Sequence, residues 1–155
     1  MAKLSPVFIE LGLQGQNKVH VISELVDKLH QKGCLFEKKQ YLDAVLEREN
    51  LLSTYCGHHI AIPHAVSKAV KKAAFGFCRI TPIEWDKDDE KVQFILILAI
   101  PDSSSSKNNR HIDMMSQIAG LALEDKVRKI WKSAKTKDII TVSYTHLTLP
   151  TKRIV

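Results

Sequence analysis

VQFILILAIP, residues Val92 to Pro101, carries one polar side chain, Gln93, in a run that is otherwise apolar. An amphipathic element shows polar residues at every second position or every third to fourth, so a run without that rhythm reads as a strand covered on both faces. Immediately upstream, AAFGFCRI from Ala73 to Ile80 has the aromatic content of a second strand, and the acidic turn WDKDDE joins the two. Toward the N-terminus, Val21, Ile22, Leu25, Val26 and Leu29 recur as the double column that one face of a helix presents to a core. Asn17 is placed to cap that helix and Gly33 to stop it. A second helix follows, with Tyr41, Leu42, Val45 and Leu46 on one side and Asp43, Glu47, Arg48 and Glu49 expected on its surface.

Pro6 to Leu11, PVFIEL, has strand character and is expected to close at Gly12 and Gly15. LLSTYCGHHIAIPHA reads as a turn at Gly57 followed by a short strand ending at Pro63. SSSSKNN, from Ser103 to Asn109, is a polar loop without strong chemistry of its own. Beyond it, Ile112, Met115, Ile118, Ala119 and Ala122 mark an amphipathic helix beginning near 109–112, and Val127, Ile130 and Trp131 mark a short one. Strands alternating with helices predict an α/β fold, a three-layer sandwich whose central mixed sheet of about five strands is flanked by helices on both faces.

A length of 155 residues fits one domain, and 45% hydrophobic with 26% charged residues is the balance of a globular chain. No run approaches the ~20 apolar residues of a membrane helix and the N-terminus lacks a secretory h-region, so a cytoplasmic location is expected. Cys34, Cys56 and Cys78 are widely spaced and without a CxxC pair, which predicts reduced, mostly packed thiols. The net charge of +6 is spread over scattered lysines, with no arginine-rich or aromatic-interleaved block, so nucleic acid is not an expected partner.

Phosphoryl transfer onto a side chain needs a neutral nitrogen nucleophile held at a fixed angle, with cationic or N–H donors for the oxygens of a loose transition state. His64, in AIPHA, follows a proline that fixes its own φ and extends Ile62, a rigid platform for one aimed ring. A lone histidine after proline is more often a packed or surface residue, so the surrounding pattern has to decide.

That pattern is LERENLLSTYCGHHIAIPHA, with Arg-Glu, Ser-Thr, a glycine turn and Ala-Ile-Pro-His in this order and spacing. It resembles the active-site signature of the EIIA domains of fructose, mannitol and nitrogen-regulatory phosphotransferase systems. The similarity continues through KAVKKAAFGFCRITPIEWDKDDEKVQFILILAIP and HIDMMSQIAGLALED, and covers about residues 5 to 141. The resemblance implies that His64 is a phosphohistidine and that Arg48 and His111 match the supporting arginine and second histidine. Arg48 would offer fixed donors to phosphoryl oxygens, and His111 would stand near a helix N-terminus that also favours anions. Arg48 as a solvated helix charge and His111 as a neighbour of a helix cap are the structural alternatives. Ser53 and Thr54 are candidates to touch substrate phosphate, structural duty being the equal alternative.

The implied partners are HPr as phosphoryl donor, an EIIB domain or subunit as acceptor, and the membrane component EIIC indirectly; no cofactor or metal is implied. A fructose-type transport role is expected, with regulation through phosphorylation-dependent protein binding as the alternative. Where many members carry Asn-Gly or Glu-Ser after the glycine, this chain has His58 and His59. Those imidazoles are expected to point to solvent, the other readings being that they lower the His64 pKa or broaden its pH response. Two other functions would draw on residues of the same stretch. A metal-binding protein would use His58, His59, His64 and His111, but an adjacent pair on an extended segment points to opposite faces. A cysteine nucleophile at Cys56 would need a thiol depressed by those histidines. Finally, VSYTHLTLPT resembles the translation of a sequencing adapter. The expected organisation is therefore an EIIA type-2 domain over 1–141, its last helix truncated around Thr136 to Ile140, and a non-native tail over 142–155.

Overall fold

The computed structural model describes residues 5–87, 89–102 and 108–135, and for 108–114 the helical backbone alone. In chain order the elements are β1 (Ile9–Leu13), α1 (Lys18–Gln31), α2 (Lys38–Leu51), β2 (Ile60–Ala61), β3 (His64–Ser67), β4 (Ala74–Ile83), β5 (Val92–Pro101), α3 (Asn108–Ala122) and α4 (Asp125–Ser133). The sheet is mixed and five-stranded. Its order is β1-β4-β5-β2, with β3 also on β5. β4 and β5 are antiparallel, and every other pairing is parallel.

β5 is the central strand that its apolar run predicts. Ile95, Ile97 and Ala99 enter a core with Val21, Ile22, Leu25, Leu29, Tyr41 and Val45 from α1 and α2. Phe94, Leu96, Leu98 and Ile100 enter a second core with Phe75, Phe77, Ile118, Val127 and Trp131. Alternate residues of one strand thus serve opposite layers, the physical content of a three-layer sandwich. The second core is aromatic: the Trp131 ring lies 5.0 Å from Phe77 and 5.9 Å from Phe94.

Local signals fix the helix ends. The Asn17 side chain accepts from the His20 N–H at 2.9 Å, a cap contributing about 1 kcal/mol. Gly33 terminates α1 at φ +78°, in the left-handed region that glycine enters without steric cost. In α2, Glu37 caps through both carboxylate oxygens, to Lys39 and Gln40. At Gly76 a side chain is excluded by the neighbouring segment of the same sheet, since a Cβ there would stand 2.2 Å from the Phe8 ring.

Two expectations change. β1 begins later than its composition suggests and includes Gly12, which therefore does not close it; the parallel register with β4 slips between Glu10 and Leu13. Glu49 is buried rather than on the surface, because it lies four residues beyond Val45 and eight beyond Tyr41, on the stripe that faces the sheet. Of the polar loop expected over 103–109, residues 103–107 lie outside the described residues and Asn108 and Asn109 already belong to α3; the truncated helix at 136–140 and the tail at 142–155 also lie outside the described residues.

Candidate functional site

β2 and β3 are two halves of one edge strand running along β5. Ile60 pairs with Phe94 and His64 with Leu98, so the register is the same on both sides of the break at Ile62 and Pro63. Proline cannot donate to a ladder, and at an edge it has no ladder partner to lose. Its carbonyl still accepts from Leu98 N–H at 3.0 Å, which ties the backbone just before His64 to the central strand. Ala65 and Ser67 are buried, whereas His64 is half-buried and Val66 exposed, so the imidazole stands on the open side of the edge strand.

Among the described residues one hydrogen bond orients the ring: His64 Nδ1 lies 2.8 Å from the carbonyl oxygen of Ile62. A carbonyl only accepts, so Nδ1 carries the proton and the Nε2 lone pair is left available. Nε2 has no hydrogen-bond partner among the described residues. The His64 pKa lies below its ordinary value, chiefly because burial disfavours the imidazolium, with the nearby Arg48 charge acting in the same direction. The Ile62 hydrogen bond and the Glu49 carboxylate oppose this without reversing it. His58 and His59 are both exposed, as expected of imidazoles that point to solvent, and the shift of the His64 pKa comes from other groups.

Arg48 sits in the last turn of α2, half-buried, and its Nη1 donates to the Leu52 carbonyl at 2.5 Å. The guanidinium therefore closes its own helix end with one donor and keeps the rest of its planar fork for another partner. Its charge helps to lower the His64 pKa, and α2, which carries Arg48, packs on β3, which carries His64. His111 lies in the first turn of α3, on the chain that returns after β5, with its side chain outside the description.

Ser53 and Thr54 hold carboxylates. The Thr54 backbone N–H and hydroxyl donate to Glu49 at 2.9 and 2.6 Å. The Ser53 hydroxyl donates to Asp86 in a short hydrogen bond and accepts from Tyr55 N–H at 3.1 Å. Glu49 also accepts from Trp85 Nε1–H at 3.1 Å, and Lys18 Nζ bridges Glu49 at 3.3 Å and Asp86 at 3.0 Å. Burial works to raise the Asp86 pKa, but the hydrogen bonds from Ser53 and Lys18 and the Lys18 charge bring it below the usual carboxylate value. This network, which joins α1, α2, the Ser53–Thr54 loop and the β4–β5 turn, had no local signature. Only Glu49 was findable, from its place on the buried stripe.

Gly57, His58 and His59 all have positive φ, at 91°, 54° and 64°. The pair is thus in the left-handed region rather than extended, which replaces the alternating-face argument made from sequence. Among the described residues no three His, Cys, Asp or Glu side chains gather as a metal site. Cys56 is an exposed residue, against the expectation of packing, while Cys34 and Cys78 are buried as expected. Its sulfur contacts the Ile60 carbonyl at 3.4 Å, and desolvation raises its thiol pKa instead of depressing it.

Fold and site together define a phosphotransferase-system domain of EIIA type, in which a mixed sheet carries one oriented histidine at its edge. The sequence profile of the family described as "Phosphoenolpyruvate-dependent sugar phosphotransferase system, EIIA 2" matches residues 3–142, and the chain belongs to that family. The fructose-specific EIIABC component of Bacillus subtilis (strain 168) is 30% identical over 134 residues, 85% of this chain and 21% of that protein. The mannitol-specific phosphotransferase enzyme IIA component of Enterococcus faecalis (strain ATCC 700802 / V583) is 32% identical over 126 residues, 77% of this chain and 81% of that one. The chain thus spans about a fifth of the first relative and most of the second. The crystal structure of nitrogen regulatory protein IIA-Ntr from Neisseria meningitidis matches with TM-score 0.80 and 25% identity, covering 90% of this chain and 94% of that one. No helix among the described residues is long and apolar enough to cross a membrane.

Proposed function

We propose that this domain is a phosphohistidine carrier, accepting a phosphoryl group from phospho-HPr on His64 Nε2 and passing it to a cysteine of an EIIB domain or subunit. The observation that carries the reading is the Nδ1 contact with the Ile62 carbonyl, which fixes the tautomer and aims the nucleophilic nitrogen. In the first step the Nε2 lone pair forms the bond to phosphorus as the bond to the donor's leaving atom breaks, and the proton stays on Nδ1. In the second the EIIB thiolate forms the sulfur–phosphorus bond and the nitrogen–phosphorus bond breaks, returning His64 to its neutral form. Arg48 stabilises the equatorial phosphoryl oxygens in both steps, and His111 donates to them from the head of α3. Ser53 and Thr54 act through the loop whose shape they fix. No cofactor is needed, because the phosphoryl group arrives activated on the donor.

Carriers of this kind dock proteins, and the surroundings of the ring suit that task. Val66, two residues along β3 from His64, is 55% exposed, and Leu51 and Leu52 beside Arg48 are 78% and 69% exposed. Such apolar side chains around a polar centre are the usual core of a transient interface. Sugar uptake of the fructose or mannitol kind is favoured by the relatives; the likeness to a nitrogen regulatory protein supports a second reading, in which phosphorylation of His64 alters binding to a target protein.

Incubation with phosphoenolpyruvate, enzyme I and HPr should label one acid-labile, base-stable site per chain, and His64→Ala should abolish the label. Equal labelling of that variant would end the assignment. With His64 established, transfer onward to a purified EIIB distinguishes transport from regulation.

A further inference from the structure

At the end of the sheet away from His64, a cleft of about 600 Å³ opens between the Gly57–His59 turn, the start of β5 and α4. Phe94 and Pro82 contribute apolar surface to it. Around them stand Lys91, Lys129 and Lys132, none of which has a carboxylate partner among the described residues. The only carboxylate in the lining, Asp125, is already paired with Arg128, whose second nitrogen donates to the Ala122 carbonyl at 2.9 Å. Three lysines without a carboxylate partner among the described residues thus border a largely apolar concavity of small-molecule size, with Glu90 set 4.0 Å from His59 Nε2 beside it, a balance of charge that favours an anion over a cation.

The wall formed by the turn is specially held. His58 and His59 keep left-handed backbones that L side chains rarely adopt. The turn is pinned by Gln93 and Phe94, whose N–H groups both donate to the His59 carbonyl at 2.9 and 3.1 Å, and by His59 Nδ1 on the Lys91 carbonyl at 2.8 Å. Strain maintained this way sets His58 and His59 in the lining of the cleft, the second with its Nε2 4.0 Å from Glu90. Phe94 pairs with Ile60, four residues along β5 from the Leu98–His64 pair, so the cleft and the histidine are about 13 Å apart along the strand. Neither Arg48, His64, Ser53 nor Thr54 lines it.

We propose that this cleft is a separate binding site for an organic phosphate, with the lysine ammonium groups on the phosphate oxygens and an apolar or aromatic body against Phe94 and Pro82. Nucleic acid is disfavoured because the basic groups converge on one concavity instead of forming a stripe. The apolar surface distinguishes the ligand from a bare inorganic anion.

Calorimetric titration of the full chain with adenosine diphosphate, and separately with inorganic pyrophosphate, tests this. Adenosine diphosphate should bind saturably at one site below about 1 mM, and pyrophosphate about tenfold more weakly. Lys129→Glu with Lys132→Glu, both at exposed positions, should weaken binding at least about tenfold with an unchanged melting curve, and His64→Ala should leave it unaltered. Backbone amide shifts induced by the nucleotide should cluster at Lys91, Gln93 and Lys129, a readout that does not depend on the variants. The proposal is overturned by absence of saturable binding at about 5 mM, by pyrophosphate binding as tightly as the nucleotide, or by shifts centred on Arg48 and His64. Undiminished affinity in the double variant, or loss of binding in His64→Ala, would overturn it equally.

Discussion

Tyr41 and Leu98 fasten helix α2 to the central strand directly opposite the candidate nucleophile: the buried Tyr41 hydroxyl donates to the Leu98 carbonyl at 2.6 Å, and Leu98 is the cross-strand partner of His64. Burial pushes the Tyr41 pKa far above the phenol range, so the hydroxyl stays a donor at any working pH. Tyr41→Phe keeps the ring and removes the donor. It should cost about 1–2 kcal/mol in a urea melt and slow phosphoryl transfer only modestly, since the β3–β5 ladder remains. A stability unchanged by the substitution would show that the contact contributes nothing net.

The His64 ring should titrate below 6.5, its ordinary value, because burial and the Arg48 charge both disfavour the imidazolium. A lowered folded-state pKa means that the unfolded chain binds the proton first as pH falls. His64 therefore withdraws stability on acidification through 6.5 and below, while its ring stays neutral and nucleophilic to lower pH than a free histidine. An NMR titration of the His64 ring reads this directly; a midpoint at or above 6.5 contradicts it. In Arg48→Ala the midpoint should rise, as one of the two lowering causes is removed.

Arg48→Ala should also reduce the rate of transfer to His64 by about a hundredfold or more, the scale seen when one preorganised donor to a developing charge is deleted. Arg48→Lys should recover part of that rate, since it restores the charge without the planar fork. Loss of the bond to the Leu52 carbonyl affects the end of α2 in both variants, so circular dichroism serves as the control for folding. Equal rates for the wild-type chain and the alanine variant would remove Arg48 from the chemistry.

Glu49 should behave as a structural carboxylate. It accepts from Thr54, Trp85 and Lys18, and its amide counterpart would bring N–H donors to face donors. Glu49→Gln is expected to destabilise the domain by about 2–4 kcal/mol, the range for leaving buried polar and charged partners unmatched. A chemical-denaturation midpoint shifted by less than the equivalent of about 0.5 kcal/mol would contradict this.

What the sequence made legible follows from which interactions are local. The covered strand Val92–Pro101, the α1 stripe from Val21 to Leu29, the Asn17 cap and the Gly33 stop are each set within one element, and each stands as read. The proposed partnership of Arg48 with His64 was reachable only through the resemblance of the surrounding motif, because α2 and β3 meet through the fold rather than through spacing. Lys18, Glu49 and Asp86 were invisible as a group: 31 residues separate the first two and 68 the first and third, and no periodicity links them. His58 and His59 misled for a different reason. Two consecutive non-glycine residues at positive φ are a tertiary override of ordinary backbone preference, which favours an extended reading.

That override supplies a measurable excess. A left-handed backbone costs an L residue roughly 1–2 kcal/mol, and glycine avoids this cost while losing about 0.5–1 kcal/mol more chain entropy on folding. The difference favours the folded chain when glycine replaces a residue at φ 54° whose side chain is exposed, which is the situation of His58. His58→Gly should therefore raise stability by about 0.5–1 kcal/mol, an increase of about 1–4 °C in melting temperature for a domain of this size. His59→Gly should gain less, because that imidazole bonds the Lys91 carbonyl at 2.8 Å and the substitution gives up the contact along with the strain. Thermal melts of the two variants side by side separate backbone strain from side-chain bonding. If His58→Gly melts lower than the parent chain, the left-handed turn is not strained, and the support it lends to the nearby cleft falls with it.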